Sequence, residues 1–90
     1  MGRPRHAGGR VHELSLAEDM LGIVEAAARR NGATRVASVR VEIGELACVE
    51  PESLAFAFEV CAREGCARGA RLDIERTPGH ELRVCDIEIA

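Results

Sequence analysis

Between Val11 and Gly32 the chain reads VHELSLAEDMLGIVEAAARRNG, a stretch that carries its own start and stop signals for a helix. Ser15 and Glu18 have the spacing of a capping box, in which each side chain satisfies an unpaired backbone N–H at a helix start. Ala17, Met20, Leu21, Val24, Ala27 and Ala28 recur three and four residues apart and form one apolar stripe. Arg29 and Arg30 fall in the last turn, where positive charge suits the helix dipole, and Gly32 fits a left-handed cap. A His-Glu pair, His12 and Glu13, stands just ahead of the expected start. Any fold for this chain must bury that stripe.

What can cover it is limited. The chain has 90 residues, one small domain, and its only aromatic residues are Phe56 and Phe58. The core must therefore come from Val, Ile, Leu and Ala. Residues 1–10, MGRPRHAGGR, have no apolar periodicity and read as a disordered extension. After Gly32, Arg35 to Ile43 alternates with Val39, Val41 and Ile43 on one side and Arg40 and Glu42 on the other, a half-buried strand ended by Gly44. A second helix is expected from Pro51, which suits a first helical position, with Leu54, Ala57, Phe58 and Cys61 as its buried stripe and Gly65 as terminator. Arg71 to Arg76 reads as a strand, and a Thr77-Pro78-Gly79-His80 turn leads to a last strand over Glu81 to Ile89. In that strand Leu82 and Val84 share one phase and Ile87 and Ile89 the other, so one extra residue near Cys85-Asp86, a bulge, is needed to reconcile them. A Pro-Gly pair favours a type II turn, which suits a tight hairpin poorly. The order α-β-α-β-β predicts an α+β fold with two helices packed on one face of a small three-stranded sheet.

Composition narrows the function as well. The net charge is −3, without aromatic-interleaved basic patches or a Gly-rich phosphate loop, so a nucleic-acid partner is not expected. No apolar run is long enough to span a membrane, and the Arg-rich start leads into no signal-like hydrophobic segment. The reading is a cytoplasmic protein, free of membrane, in which Cys48, Cys61, Cys66 and Cys85 are thiols rather than a disulfide framework. Read from the residues alone, His12 is more often a solvated histidine than a ligand, and Glu13 is an acid favourable near a helix start. His6, His12 and His80 could pinch a metal, and Cys61 with Cys66 could hold a soft one, but nothing in the spacing fixes either geometry. Glu50 and Glu52 suit the positive end of the second helix better than they suit catalysis. A cysteine-dependent enzyme would need a thiolate beside a base, and no signature places a histidine near any cysteine.

Four segments change that balance: HELSLAEDMLGIVE, RVASVRVEIGELACVEPESLAFAFEV, GARLDIERTPG and ELRVCDIEI. In this order they resemble the HypA family, nickel-insertion accessory proteins for nickel-iron hydrogenase and, in some organisms, urease. The resemblance implies one domain over residues 11–90, no catalysis, delivery of nickel, and two partners: a HypB-type GTPase and the hydrogenase large-subunit precursor. A monomer or weak dimer is expected. It also implies a site. Family members begin Met-His-Glu and hold nickel with the terminal amine, the histidine ring and nearby backbone amides, an arrangement that suits the square-planar nitrogen preference of Ni(II). His12 and Glu13 match the His and Glu, with His12 as ligand and Glu13 contributing its backbone or assisting from behind. Val11 stands at the methionine position, and it offers an amine only as the initiator. Valine's GTG codon starts translation in bacteria and is then read as methionine, so a start at position 11 would restore Met-His-Glu-Leu. The second departure is a gap. The family carries a zinc ribbon with two Cys-x-x-Cys pairs before the final strand, whereas here His80 alone separates Gly79 from Glu81 and the chain has no Cys-x-x-Cys. The expectation is a nickel-binding domain lacking the zinc site. The competing expectation is an interaction module of the same descent that has lost metal delivery.

Overall fold

The computed structural model describes the backbone of residues 5–90 and the side chains of residues 12–90. Its elements run α1 (Arg5–Arg30), β1 (Val36–Gly44), α2 (Pro51–Cys61), β2 (Arg71–Thr77) and β3 (Leu82–Ile89). The α+β architecture is the expected one, and the differences lie at the ends of elements and in how the strands pair.

Helix α1 begins at Arg5, so Ser15 and Glu18 lie inside it and do not cap it. No proline stands between Pro4 and Pro51, and Gly8-Gly9 lowers helix propensity without forbidding it. A capping signal permits a start; it does not impose one. Of the stretch 1–10 read as disordered, residues 1–4 lie outside the described residues and helical backbone begins at Arg5. The other end is as expected. Gly32 takes a φ of +66°, and the N–H groups of Gly32 and Ala33 donate to the carbonyls of Arg29 (3.0 Å) and Ala28 (2.9 Å), the paired bonds of a Schellman cap.

The sheet has the order β2-β1-β3, with β1 parallel to β2 and antiparallel to β3. The expected turn between β2 and β3 is therefore not a hairpin, because β1 lies between them. A parallel neighbour requires a crossover, and α2 supplies it between β1 and β2. The short link from Thr77 to Leu82 must then pass over the end of β1. It does so against Gly44, where the N–H of Gly44 donates to the Glu81 carbonyl (2.7 Å), that of Glu45 to Thr77 (2.7 Å) and that of Leu46 to Gly79 (2.9 Å). The poor fit of Pro-Gly to a tight hairpin has its explanation in this crossing.

The inner face of β1 follows the sequence closely. Val39, Val41 and Ile43 are fully buried, and with Ala17, Met20, Val24 and Ala28 of α1 and Leu54 and Phe58 of α2 they form the core. Each large side chain buried there contributes roughly 1.5–3 kcal/mol. The anticipated bulge is present. Arg40 pairs with Asp86 and Val41 with Val84, so Cys85 is the extra residue of β3. A second irregularity was not foreseen. Val36 pairs with Ile89 and Ser38 with Glu88, which makes Ala37 an extra residue on β1; Ile89, the last residue of β3, is exposed although its partner Val36 is buried.

The opposite face of the sheet is charged and internally paired. Arg40 bridges both neighbours, to Glu75 on β2 (3.1 Å) and Asp86 on β3 (2.8 Å), and Arg83 reaches Glu42 at 2.6 Å. These exposed pairs contribute little net stability, but they keep the uncovered face polar. The fold thus has one apolar layer, and everything else of interest sits at the helices.

Candidate functional site

The pair singled out in the sequence divides in space. His12 is exposed on α1, whereas Glu13 is buried at 8% exposure. The Glu13 carboxylate accepts the backbone N–H of Glu50 at 2.8 Å, which ties α1 to the start of α2. Glu50 is the N-cap of α2, with extended backbone (φ −83°, ψ 113°) and a carboxylate that accepts the N–H of Glu52 at 3.4 Å. Pro51, next in line, has no N–H to satisfy. Two acids therefore serve the donors at the positive end of α2, an arrangement favoured by the helix dipole. The reading of Glu50 as a charge complementing that dipole is met in detail. What spacing could not show is that Glu13 does the same from a different helix, since 37 residues separate it from its partner.

The approach to α2 is a turn in which Cys48 adopts a φ of +59°, a left-handed conformation that costs an ordinary residue roughly 1–2 kcal/mol. It reverses the chain between the end of β1 and Glu50, and so contributes to placing the α2 start against Glu13.

Among the described residues, no three of His, Cys, Asp or Glu converge to hold a metal ion. His80 is exposed in the crossing at the end of the sheet, and the side chains of His6 and Val11 lie outside the described residues. Cys61 closes α2, Cys66 lies in the turns after it, Cys85 is the bulge residue and Cys48 is exposed; all four are free. Burial, with a smaller contribution from the charge of Glu18, pushes the Cys61 thiol up from its ordinary value. That direction is opposite to the one a nucleophile or a metal thiolate needs.

Beside the Glu13–Glu50 contact a groove of about 560 Å³ opens between the helices, lined by Glu13, Leu14, Glu52, Phe56, Ala57 and Val60 among others. Sequence reading placed Leu14 and Phe56 in no role. The signal available was that neither belongs to the periodic stripe of its helix.

The arrangement, an α+β domain with the start of one helix docked on the other, matches solved structures of one kind. The solution structure of the Ni metallochaperone HypA from Helicobacter pylori superposes with a TM-score of 0.78 over 86% of this chain and 96% of that one, at 21% identity. A second, titled as the solution structure of HypA protein, gives 0.75 over 89% and 97%, at 22% identity. At that identity the likeness establishes the fold. The family model for HypA, described as hydrogenase/urease nickel incorporation and metallochaperone, matches residues 11–88, and the chain belongs to the HypA family. Among relatives named hydrogenase maturation factor HypA, that of Azoarcus sp. (strain BH72) is 58% identical over 69 residues, 77% of this chain and 60% of the relative. That of Cereibacter sphaeroides is 50% identical over 72 residues, 80% of this chain and 64% of the relative. The chain thus spans about three fifths of the length of these relatives. No helix among the described residues is long and apolar enough to cross a membrane.

Proposed function

We propose that this protein binds Ni(II) and delivers it during maturation of nickel-iron hydrogenase in the cytoplasm, without catalysing a reaction. Its partners in that reading are a HypB-type GTPase and the hydrogenase large-subunit precursor. The observation that carries it is the family match, which begins at the Val11-His12-Glu13 step. The proposed ligands are the His12 ring, the backbone amides beside it and the amine of residue 11 when that residue is the initiator methionine. Glu13 contributes its backbone nitrogen, because its carboxylate is committed to the N–H of Glu50.

The helix gives this a physical condition. Within α1 as it runs from Arg5, the N–H groups of His12 and Glu13 belong to the interior of the helix and are spent on its ladder. In a chain that starts at position 11 the same groups fall in the first turn, where N–H groups have no intrahelical partner. Such a terminus presents amine, imidazole and unspent amides side by side, with Glu13 anchoring the turn against α2. A flexible end also lets the ion leave, which delivery requires. The continuous helix favours a second reading for the longer chain: an interaction module that has lost metal delivery.

A Ni(II) titration of two chains decides between them. One begins at Met1, the other with methionine in place of Val11. Tight one-to-one binding by the shorter chain alone is expected. His12→Ala should weaken it by more than about 100-fold, beyond what changes behind a ligand cost. Equal binding by both chains would move the site to side chains such as His6 or the cysteines. Absence of specific binding by either would leave the interaction module.

A further inference from the structure

The chain has two aromatic residues, and it exposes one of them. Phe58 is buried at 2% exposure, whereas Phe56, two positions away on α2, is 66% exposed. A core built almost wholly of small aliphatic side chains would gain from either ring, so a phenylalanine left in solvent calls for a reason. It does not stand alone. Leu14 of α1 (43% exposed) and Val60 one turn further along α2 (37%) wall the same groove, with Ala57 at its base. A continuous apolar surface of this kind marks an interaction site.

Charge says what kind. Residues 12–28 and 45–62, which hold the walls of the groove and the approach to α2, contain eight Asp or Glu and no Lys or Arg. The described arginines of the helices are Arg29 and Arg30, in the last turn of α1 and about four turns from Leu14. Around the groove itself, Glu52 lines one part, and Glu18, one turn from Leu14, is exposed beside it. An apolar slot with an acidic rim repels nucleic acid and anionic lipid. A second copy of the same surface would bring acid against acid, which is costly at an interface. A basic partner is complementary to it.

We propose that the groove between α1 and α2 is the docking site for a basic amphipathic segment of a partner protein. The segment's apolar side chains enter between Leu14, Phe56 and Val60, and its Lys or Arg side chains meet Glu18 and Glu52. The inference rests on exposure and charge alone and holds whether or not His12 carries nickel. Because the groove begins at Glu13 and Leu14, the residues next to His12, the docked segment lies beside that ligand.

The test uses the full chain and a synthetic Leu/Arg amphipathic helix of about five turns, followed by fluorescence anisotropy. Two comparison peptides keep one property each: Leu/Glu keeps the apolar face and Ser/Arg keeps the charge. Binding of Leu/Arg is expected, weakened by salt and by about tenfold or more in Phe56→Ser, with little binding of the other two. Glu52→Gln should reduce the salt dependence. Should Phe56→Ser prove unstable, Val60→Ser probes the same wall. Leu/Glu or Ser/Arg binding as tightly as Leu/Arg would overturn the proposal, as would Leu/Arg affinity unchanged in the groove variants. A concentration-dependent dimer in sedimentation, lost in Phe56→Ser, would assign the groove to a second copy instead.

Discussion

Gly44→Ala is expected to destabilise the fold by about 3 kcal/mol or more, at the upper end of what overpacking costs. A Cβ at this position would lie 2.0 Å from the Gly79 carbonyl oxygen, 2.4 Å from its carbon and 2.9 Å from the Glu81 nitrogen. All three are backbone atoms and none can swing aside. Relief requires lifting the β2–β3 link off the end of β1, which breaks the hydrogen bonds that Gly44, Glu45 and Leu46 donate to it. Urea unfolding measures the effect directly, and Gly22→Ala provides the control. Gly22 is an exposed helical position with nothing within 4 Å of its added Cβ, so that change should stabilise by about 0.5–1 kcal/mol. A Gly44→Ala chain as stable as the parent would mean that the link does not cross where the structure places it.

The second large effect concerns Glu13. Glu13→Ala removes the charged acceptor of the Glu50 N–H and is expected to cost roughly 1.5–3 kcal/mol, the range for hydrogen bonds to charged groups. Glu13→Gln keeps an acceptor oxygen in place and should cost less than Glu13→Ala. The pair separates two roles for this residue. In a chain starting at position 11, Glu13→Gln should leave nickel affinity within about threefold, a difference of under about 1 kcal/mol. A carboxylate that ligated the ion would give a far larger loss in the glutamine variant. Stability by urea and affinity by calorimetry on the same two variants read both effects.

The contrast between Glu13 and Gly44 and the rest of the chain shows what the sequence makes legible. Val39, Val41 and Ile43 could be placed inward because alternation is local, and the Cys85 bulge because Leu82/Val84 and Ile87/Ile89 contradict each other in phase within one strand. Gly32 could be read as a cap because left-handed backbone has few tenants. Three things were not legible for one physical reason: each depends on a partner distant along the chain. The position of β1 between β2 and β3 is a property of pairing, not of any strand's own pattern. The need for glycine at position 44 arises from residues 79 and 81 passing over it. The burial of Glu13 arises from Glu50. At the candidate site the sequence singled out His12 and Glu13 by likeness to a family, while the groove beside them was missed, since an exposed Phe56 breaks the rule by which core residues are found.

The sheet order has a kinetic consequence. Because β1 lies between its two partners, no strand pairs with one close to it along the chain. The nearest ladder partners, such as Ser38 and Arg71, are 33 residues apart, and Val36 and Ile89 are 53 apart. A hairpin nucleus is therefore unavailable, and the loops must be closed before any ladder bond rewards them. Helices form far faster than such long-range pairings. During folding α1 and α2 would form while β1 still waits for its neighbours, exposing Val39, Val41 and Ile43 in a strand with two unpaired edges. For so small a protein, that interval is when β1 is most open to pairing with another chain.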